Sequence, residues 1–434
     1  MTMHSSQLPL DIVEKIIKDH IAPKPPSHRF MNRRTINSCS LVSRLWLYAA
    51  RPHLFFDYSL IVPRNDHRLE SLKALYQSPL CTLHLARIET LAIDPSLGET
   101  ACLAPFLEWY TSTIPESRAK LHSITIDTVK TSLVALFRER VPSEQLSKYA
   151  SGPALTGVTH LHLNAVYFQA CSNVIELFRS FPQLKSLVFT SIIAYPRQVE
   201  LASQSPGVNV NVNMGQLQTI ELDDDSFLYL HPHITFPSLR RLVYTEHRKR
   251  FVDPPDTRRS LKNLGDLLQV MGQQLEILEL TIKLRANNCV SDSQISKFLD
   301  LSTKTPLLQT LRLEIDHKFL FPALSFSRPH PTLTSITLTR GDVDWGICDT
   351  ILHKSAPGLT HLSIFVIVRT SRLEIHDKHG YNPETMDPEI VLRKKRALKD
   401  IQKQMPWSVK RGVGLCPEYY FLLMPMKRER LLGY

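Results

Sequence analysis

One short pattern limits the fold of this chain more than any other feature. Apolar-x-x-apolar-x-apolar begins at Ile88 (IETLAID) and returns at Leu121, Val158, Leu184, Leu217, Leu239, Leu275, Leu308, Leu333 and Leu359. The steps run 33, 37, 26, 33, 22, 36, 33, 25 and 26 residues. If about three in ten residues are large aliphatic or Phe, roughly ten such matches arise by chance in a chain of this length, so the pattern alone decides little. Prolines decide it. Pro182, Pro237, Pro306, Pro331 and Pro357 each stand two residues before the first apolar position. Proline there ends a preceding helix and extends the chain into a strand. Helical stripes fill the gaps: Val174, Leu177, Phe178 and Phe181; Leu264, Leu267, Leu268 and Met271; Ile295, Phe298 and Leu299.

The predicted unit is therefore a strand, a connection with a helix, and a P-x-L entry into the next strand. Consecutive parallel strands with helices outside build an α/β solenoid. This resembles a leucine-rich-repeat array with parallel strands on the concave face, spanning residues 88–371. The rival is a Rossmann-like α/β enzyme. With 14 Gly, the chain has no G-x-G-x-x-G, no G-x-x-x-x-G-K-S/T and no G-x-S-x-G.

Alternate strand positions then point away from the core and line the concave face. They include Asp94, Asp127, His160, His162, Glu221, Asp223, Arg241, Glu279, Arg312, Glu314, His361 and Phe365. Asp94, Asp127, His162, Glu221, Asp223, Arg241, Glu279, Arg312 and Glu314 are the candidate target-binding set. The acids among them predict a partner segment bearing Lys or Arg. The plain alternative is that these positions are polar because they meet water.

The first sixty residues read differently. In LPLDIVEKIIKDHI, Pro9 suits a helix's first turn, and Asp11 and Glu14 have capping-box spacing, although Pro9 would allow an earlier start. Ile12, Val13, Ile16 and Ile17 form one apolar stripe, and the prolines of APKPPSHRF break the helix. A second helix is expected from about Thr35, with Leu41, Val42, Leu45, Trp46 and Ala49 as its stripe, stopped by Pro52. Such a unit is too small to be robust alone.

LPLDIVEKII followed by CSLVSRLW and ARPHLF resembles an F-box over roughly residues 7–56. The matching residues are Leu8, Pro9, Ile12, Ile16, Leu41, Val42, Arg44, Leu45 and Trp46. The insert from Ala22 to Arg34 is longer and more basic than the usual link. The irregular repeat lengths resemble those behind F-boxes in fungal-type proteins. The resemblance implies a module docking on the Skp-family adaptor of cullin–RING ubiquitin ligases through Leu8, Pro9, Ile12, Ile16, Leu41, Val42, Leu45 and Trp46. It implies a substrate receptor whose repeats hold an unidentified target protein. A repeat scaffold without a ubiquitin role, and an α/β enzyme with an unrecognised site, stay open beside it.

The expected organisation is an F-box-like helical module at 1–60, a linking helix or N-terminal cap at 61–87, repeats at 88–371 and a basic tail or cap at 372–434. Formal net charge is +11. Arg240 to Lys262 holds eight Lys/Arg against three acids, and Arg393 to Arg411 eight against one. Solvated loops explain both; a nuclear-import patch or an acidic-surface contact is the sharper reading of the second. No nucleic-acid motif accompanies them.

No stretch has transmembrane length, and MTMHSSQLPL has no signal-peptide pattern. Seven scattered Cys without C-x-x-C, and no N-x-S/T, fit a cytosolic or nuclear protein. His231 and His233, the His160/His162 pair, Asp223–Asp225 and Cys39 lack the neighbours that metal or nucleophile chemistry needs. The chain is expected to be no enzyme, with no metal and no cofactor.

Overall fold

A computed structural model of the chain describes residues 9–21, 38, 42–43, 45–46, 49, 59–63, 65–78, 88–93, 103–113, 121–127, 155–164, 166, 171–190, 212–223, 234–246, 257–282, 291–315, 317–338, 344–370 and 388–423. Each of the ten motifs forms a strand. The first, second and third apolar residues of every motif are buried, from Ile88, Leu91 and Ile93 to Leu359, Leu362 and Ile364. Side chains that alternate across a strand can all sink inward only if one strand face is the core and the other is open.

Two units divide the chain, residues 1–162 with 166–183, and residues 163–165 with 184–434. The first holds α1 (Leu10–Ile21), β1 (Ser59–Ile61), α2 (Asp66–Gln77), β2 (Thr90–Ile93), α3 (Leu103–Thr113), β3 (Ser123–Asp127), most of β4 (His160–Asn164) and α4 (Cys171–Arg179). β1, β2 and β3 pair in parallel, Leu60 beside Leu91 and Leu91 beside Ile124. The backbone N–H groups of Thr159 and His160 both reach the carbonyl of His122, which carries the ladder on to β4. Leu103, Phe106, Leu107 and Tyr110 bury one side of α3, and Trp109 meets Tyr76 of α2 edge to face at 5.9 Å.

The second unit repeats the same plan. Its strands are β5 (Ser186–Thr190), β7 (Thr219–Asp223), β9 (Arg241–Thr245), β10 (Ile277–Ile282), β11 (Thr310–Ile315), β12 (Ser335–Leu338), β13 (His361–Thr370) and β14 (Gly414–Leu423), hydrogen-bonded in that order. The short β6 (Val212–Asn213) and β8 (Ile234–Thr235) pair separately. Registers superpose the motifs: Leu187 on Ile220, Ile220 on Leu242, Leu242 on Leu278, Leu278 on Leu311, Leu311 on Ile336, Ile336 on Leu362. Every described pairing is parallel.

Parallel neighbours need crossovers, and from β9 onward these are helical. They are α5 (Thr257–Met271), α6 (Asp292–Phe298), α7 (Leu301–Lys304), α8 (His317–Leu324), α9 (Trp345–Ser355), α10 (Pro388–Gln404) and α11 (Pro406–Lys410). α5 packs on α6, α6 on α8, α8 on α9, and α9 on α10 and α11. Of the stripes read from the sequence, Leu264, Leu267, Leu268, Met271, Val174, Leu177, Phe178, Phe181, Ile295 and Leu299 are buried, and Phe298 is half-buried. Among the described residues no helix is long and apolar enough to cross a membrane.

The prolines do more than end a helix. Leu239 donates to the carbonyl of Phe236, Leu308 to Thr305 and Leu359 to Ala356. Pro237, Pro306 and Pro357 thus sit second in a four-residue turn, where a fixed φ is pre-set. Val158, Leu217 and Leu275 close the same turn without proline.

The residue three places before a motif's first apolar position is buried at every described site: Leu155, Phe181, Met214, Phe236, Gly272, Thr305, His330 and Ala356. In the second unit neighbouring repeats meet at this level at Gly272, Thr305 and His330. A Cβ on Gly272 would lie 2.4 Å from the Lys304 carbonyl oxygen, so only glycine fits there. His330 fills the level above Thr305, whose carbonyl oxygen meets His330 Nε2 at 2.9 Å. A carbonyl only accepts, so Nε2 carries the proton, and Nδ1 has no partner among the described residues.

Burial lowers the His330 pKa below the ordinary histidine value. The Thr305 bond opposes the shift, Arg328 adds to it and Asp300 opposes it. A lowered folded pKa means that the unfolded chain binds more protons. The contribution is therefore complete above the unfolded value of about 6.5 and shrinks as pH falls below it. The urea midpoint should fall between about pH 7.5 and about pH 5, and His330→Gln should flatten that slope. An equally steep slope in the variant would assign it to other groups.

The structure departs from the sequence reading at four places. The stretch from Thr35 to Arg51 is not one helix. Val42 lies in a turn and Ser43 is non-helical, while Leu45, Trp46 and Ala49 are helical. The Ser43 hydroxyl accepts from the Trp46 N–H at 3.3 Å, the N-cap arrangement that restarts a helix. α1 begins before Asp11, because the Pro9 carbonyl accepts from Ile12 and Val13, so Asp11 lies in the first turn instead of capping it. The ladder also extends past both ends of 88–371, with β1 before it and β14 after it. Asp223 is the fourth departure and is taken up with its face below.

Candidate interaction surfaces

The N-terminal module closes on a small core. Val13, Ile17 and Ala49 are buried, and Leu10, Leu45 and Trp46 pack against them. Leu45 and Trp46 are therefore half-buried within the module's own packing. Ile16 is half-buried, Pro9 is exposed, and Ile12 and Val42 are open to solvent at 42% and 66%. Leu8, Leu41 and Arg44 lie outside the described residues. Two large apolar side chains left open on so small a module cost hydration free energy unless something covers them.

On the ladder's open face, charge is paired across strands. Arg241 Nε donates to Glu279 Oε1 at 3.0 Å, its Nη2 bonds the same oxygen, and Arg312 Nη1 lies 3.7 Å from Glu279 Oε2. Parallel pairing puts Glu279 between Val243 and Arg312, which brings both guanidinium groups within reach. Thr281 Oγ1 donates to Glu314 Oε2 at 3.3 Å. Glu221 is half-buried on β7. Asp223, placed by alternation on this open face, is fully buried and makes no exposed contact surface. Alternation fixes the side of a strand and not the depth of burial, and Asp223 is the last residue of β7. Asp94 lies outside the described residues, and Asp127 is the last residue of β3.

The six acids expected to give this face a negative character thus reduce, among described side chains, to Glu221, Glu279 and Glu314, with Glu279 held by two arginines. Histidines occupy other open positions. His160 is exposed and His162 half-buried on β4, and His122 meets His160 edge to face at 5.6 Å. His361 is exposed on β13, with Nδ1 2.8 Å from Thr360 Oγ1. That hydroxyl gives its one proton to the Thr334 carbonyl at 3.1 Å, so it accepts from His361 Nδ1. Phe365 lies further along β13.

Among the described residues no group of three or more His, Cys, Asp or Glu could hold a metal ion. His231, His233, Asp224, Asp225 and Cys39 lie outside them. Cys348 is buried, and burial first, with Asp349 and Asp344 adding, pushes its thiol up to about 12, which keeps it protonated.

Sequence reasoning did not anticipate a junction in the second unit. Asp349 of α9 is buried, and its carboxylate accepts from the Trp407 N–H at 2.8 Å, the Ser408 N–H at 3.0 Å and the Ser408 hydroxyl. Met405, which precedes α11, supplies no side-chain cap, so the cap comes from another helix. No family model matches the chain, and no curated protein matches it. Among solved structures, the Rad7 and Elc1 complex in yeast is 16% identical with a TM-score of 0.34, covering 82% of this chain and 88% of that one. A protein from Bacteroides fragilis is 10% identical with a TM-score of 0.30, covering 65% and 74%. At such values the reading of this chain rests on its own residues: a mixed α/β chain of repeating units, each adding one parallel strand.

Proposed function

We propose that the chain is the substrate receptor of a Skp–cullin–F-box type ubiquitin ligase, an F-box-like module followed by irregular leucine-rich repeats. One observation carries the reading. In the segment that resembles an F-box, Val13, Ile17 and Ala49 close the module while Ile12 and Val42 stay open. Side chains of one stripe divide between an inner job and an outer one. The outer set, with Pro9, is the surface offered to a Skp-family adaptor, and through it to a cullin. The ladder's open face is offered to a target protein. This chain would supply proximity, and ubiquitin chemistry would belong to other subunits in the cytosol or nucleus.

Titration of the full chain with a purified Skp-family adaptor tests this. Ile12→Asp with Val42→Asp should weaken binding by a hundredfold or more, about 3 kcal/mol, as loss of two apolar anchors does. Both positions are open, so the variant should melt with the parent. Unchanged affinity would contradict the reading, and would favour a repeat scaffold with no ubiquitin role.

A further inference from the structure

The junction between α9 and α11 carries exposed apolar side chains that the repeat fold does not use. Eight large hydrophobic residues are exposed among those described, and three of them, Ile347, Trp407 and Val409, sit on these two short helices. They are not on strand positions, so neither the ladder face nor the N-terminal module accounts for them. Trp407 is held in place although it is open. Its backbone N–H is fixed by buried Asp349, and the His353 ring stacks on its indole at 4.7 Å with planes 13° apart. The Lys410 ammonium lies 5.9 Å from the indole centroid. The Arg411 guanidinium bonds the Pro357 carbonyl, which ties the far end of α11 to the same repeat.

Lys410 stands beside this indole, and α10 packs on both α9 and α11. Among the described side chains of α9 to α11, Lys354, Lys395, Arg396, Lys399, Lys403, Lys410 and Arg411 are exposed, against the exposed acids Asp344 and Asp400. An anchored, partly open Trp next to a mainly cationic helix surface has the composition of an interface hot spot. We infer that α9, α10 and α11 form a second docking surface, for an acidic protein segment that carries an apolar anchor residue.

The physical details favour a protein segment over other polyanions. A membrane-surface helix turns its apolar side outward, whereas Ile401 and Met405 of this segment are buried against the protein. Single-stranded nucleic acid needs several open aromatic platforms, and here one face of the one indole is already taken by His353. An acidic segment needs only what is present: cations for its carboxylates and one aromatic edge for its anchor.

The inference is independent of the adaptor reading, and its test uses another surface. A fluorescein-labelled Glu-rich peptide with one central Phe is titrated with the full chain, and anisotropy is read at low and moderate salt. Binding is expected, weaker at moderate salt, and absent for a Lys-rich peptide with the same Phe. Trp407→Ala should weaken it about tenfold or more, and Lys403→Glu with Lys410→Glu by a similar factor. Thermal melts check folding; if Trp407→Ala melts early, the exposed charge-reversal pair decides. Parent-like affinity in the charge-reversal variant, no binding by the parent, or tighter binding to phosphatidylserine vesicles or a single-stranded oligonucleotide would overturn the proposal.

Discussion

Leu278→Ala should cost about 2–5 kcal/mol of stability, while Glu279→Ala, the adjacent residue, should cost less than about 1 kcal/mol. Leu278 is fully buried near the start of β10, flanked in register by Leu242 and Leu311. Truncation removes contact with both neighbours and leaves a cavity that parallel strands on either side cannot close. Glu279 lies on the opposite side of the same strand, among Arg241 and Arg312, whose side chains are about half exposed. Water and salt screen that network, so its loss is small. The check is the urea midpoint of each variant. Equal losses at the two positions would contradict a ladder with one buried and one open face.

Asp349→Ala should cost about 3 kcal/mol and release the tail locally. Its carboxylate satisfies two backbone N–H groups and one hydroxyl where α11 begins. Without it, those groups sit buried at a helix start that Met405 cannot cap. Asp349→Asn keeps an acceptor oxygen and should lose about half as much. Hydrogen exchange is the direct readout. Protection should fall at Trp407 and Ser408 and along β14, and stay as in the parent at β9 and β10. Uniform loss through the second unit would mean that the junction is part of the core and not a latch.

How much of this was legible depends on the range of each interaction. Burial of Ile88, Leu91, Ile93 and their counterparts was readable because it depends on spacing within six residues and on nothing remote. The edges of the ladder escaped for the same reason. In the register of β14, Gly412 and Pro417 stand where other repeats have their first and third apolar residues. β1 is described over three residues only, Ser59–Ile61, with Leu60 in the place of the second apolar residue. Neither segment shows the motif, and pairing with a neighbouring strand makes each a strand. Ser43 interrupts the second N-terminal helix through a single hydroxyl, which an apolar stripe cannot register.

The candidate surfaces were less legible than the core. Alternation assigns Glu221, Arg241, Glu279, Arg312 and Glu314 to one side, but it could not say that Glu279 would be shared by two arginines from different repeats. Those partners are 38 and 33 residues away, and only register brings them together. Asp349 and Trp407 are 58 residues apart. The basic run around Trp407 was visible, but not the carboxylate that fixes it. In the N-terminal module the apolar residues were found, but their division into covered and open needed the packing of Ala49 on Val13 and Ile17.

The most direct test of the receptor reading is affinity capture from a cell extract, analysed by mass spectrometry, with the full chain beside its Ile12→Asp, Val42→Asp variant. The account predicts a Skp-family adaptor and a cullin on the parent, both lost from the variant, with other captured proteins retained. An adaptor absent from the parent, or present equally on both, would contradict it.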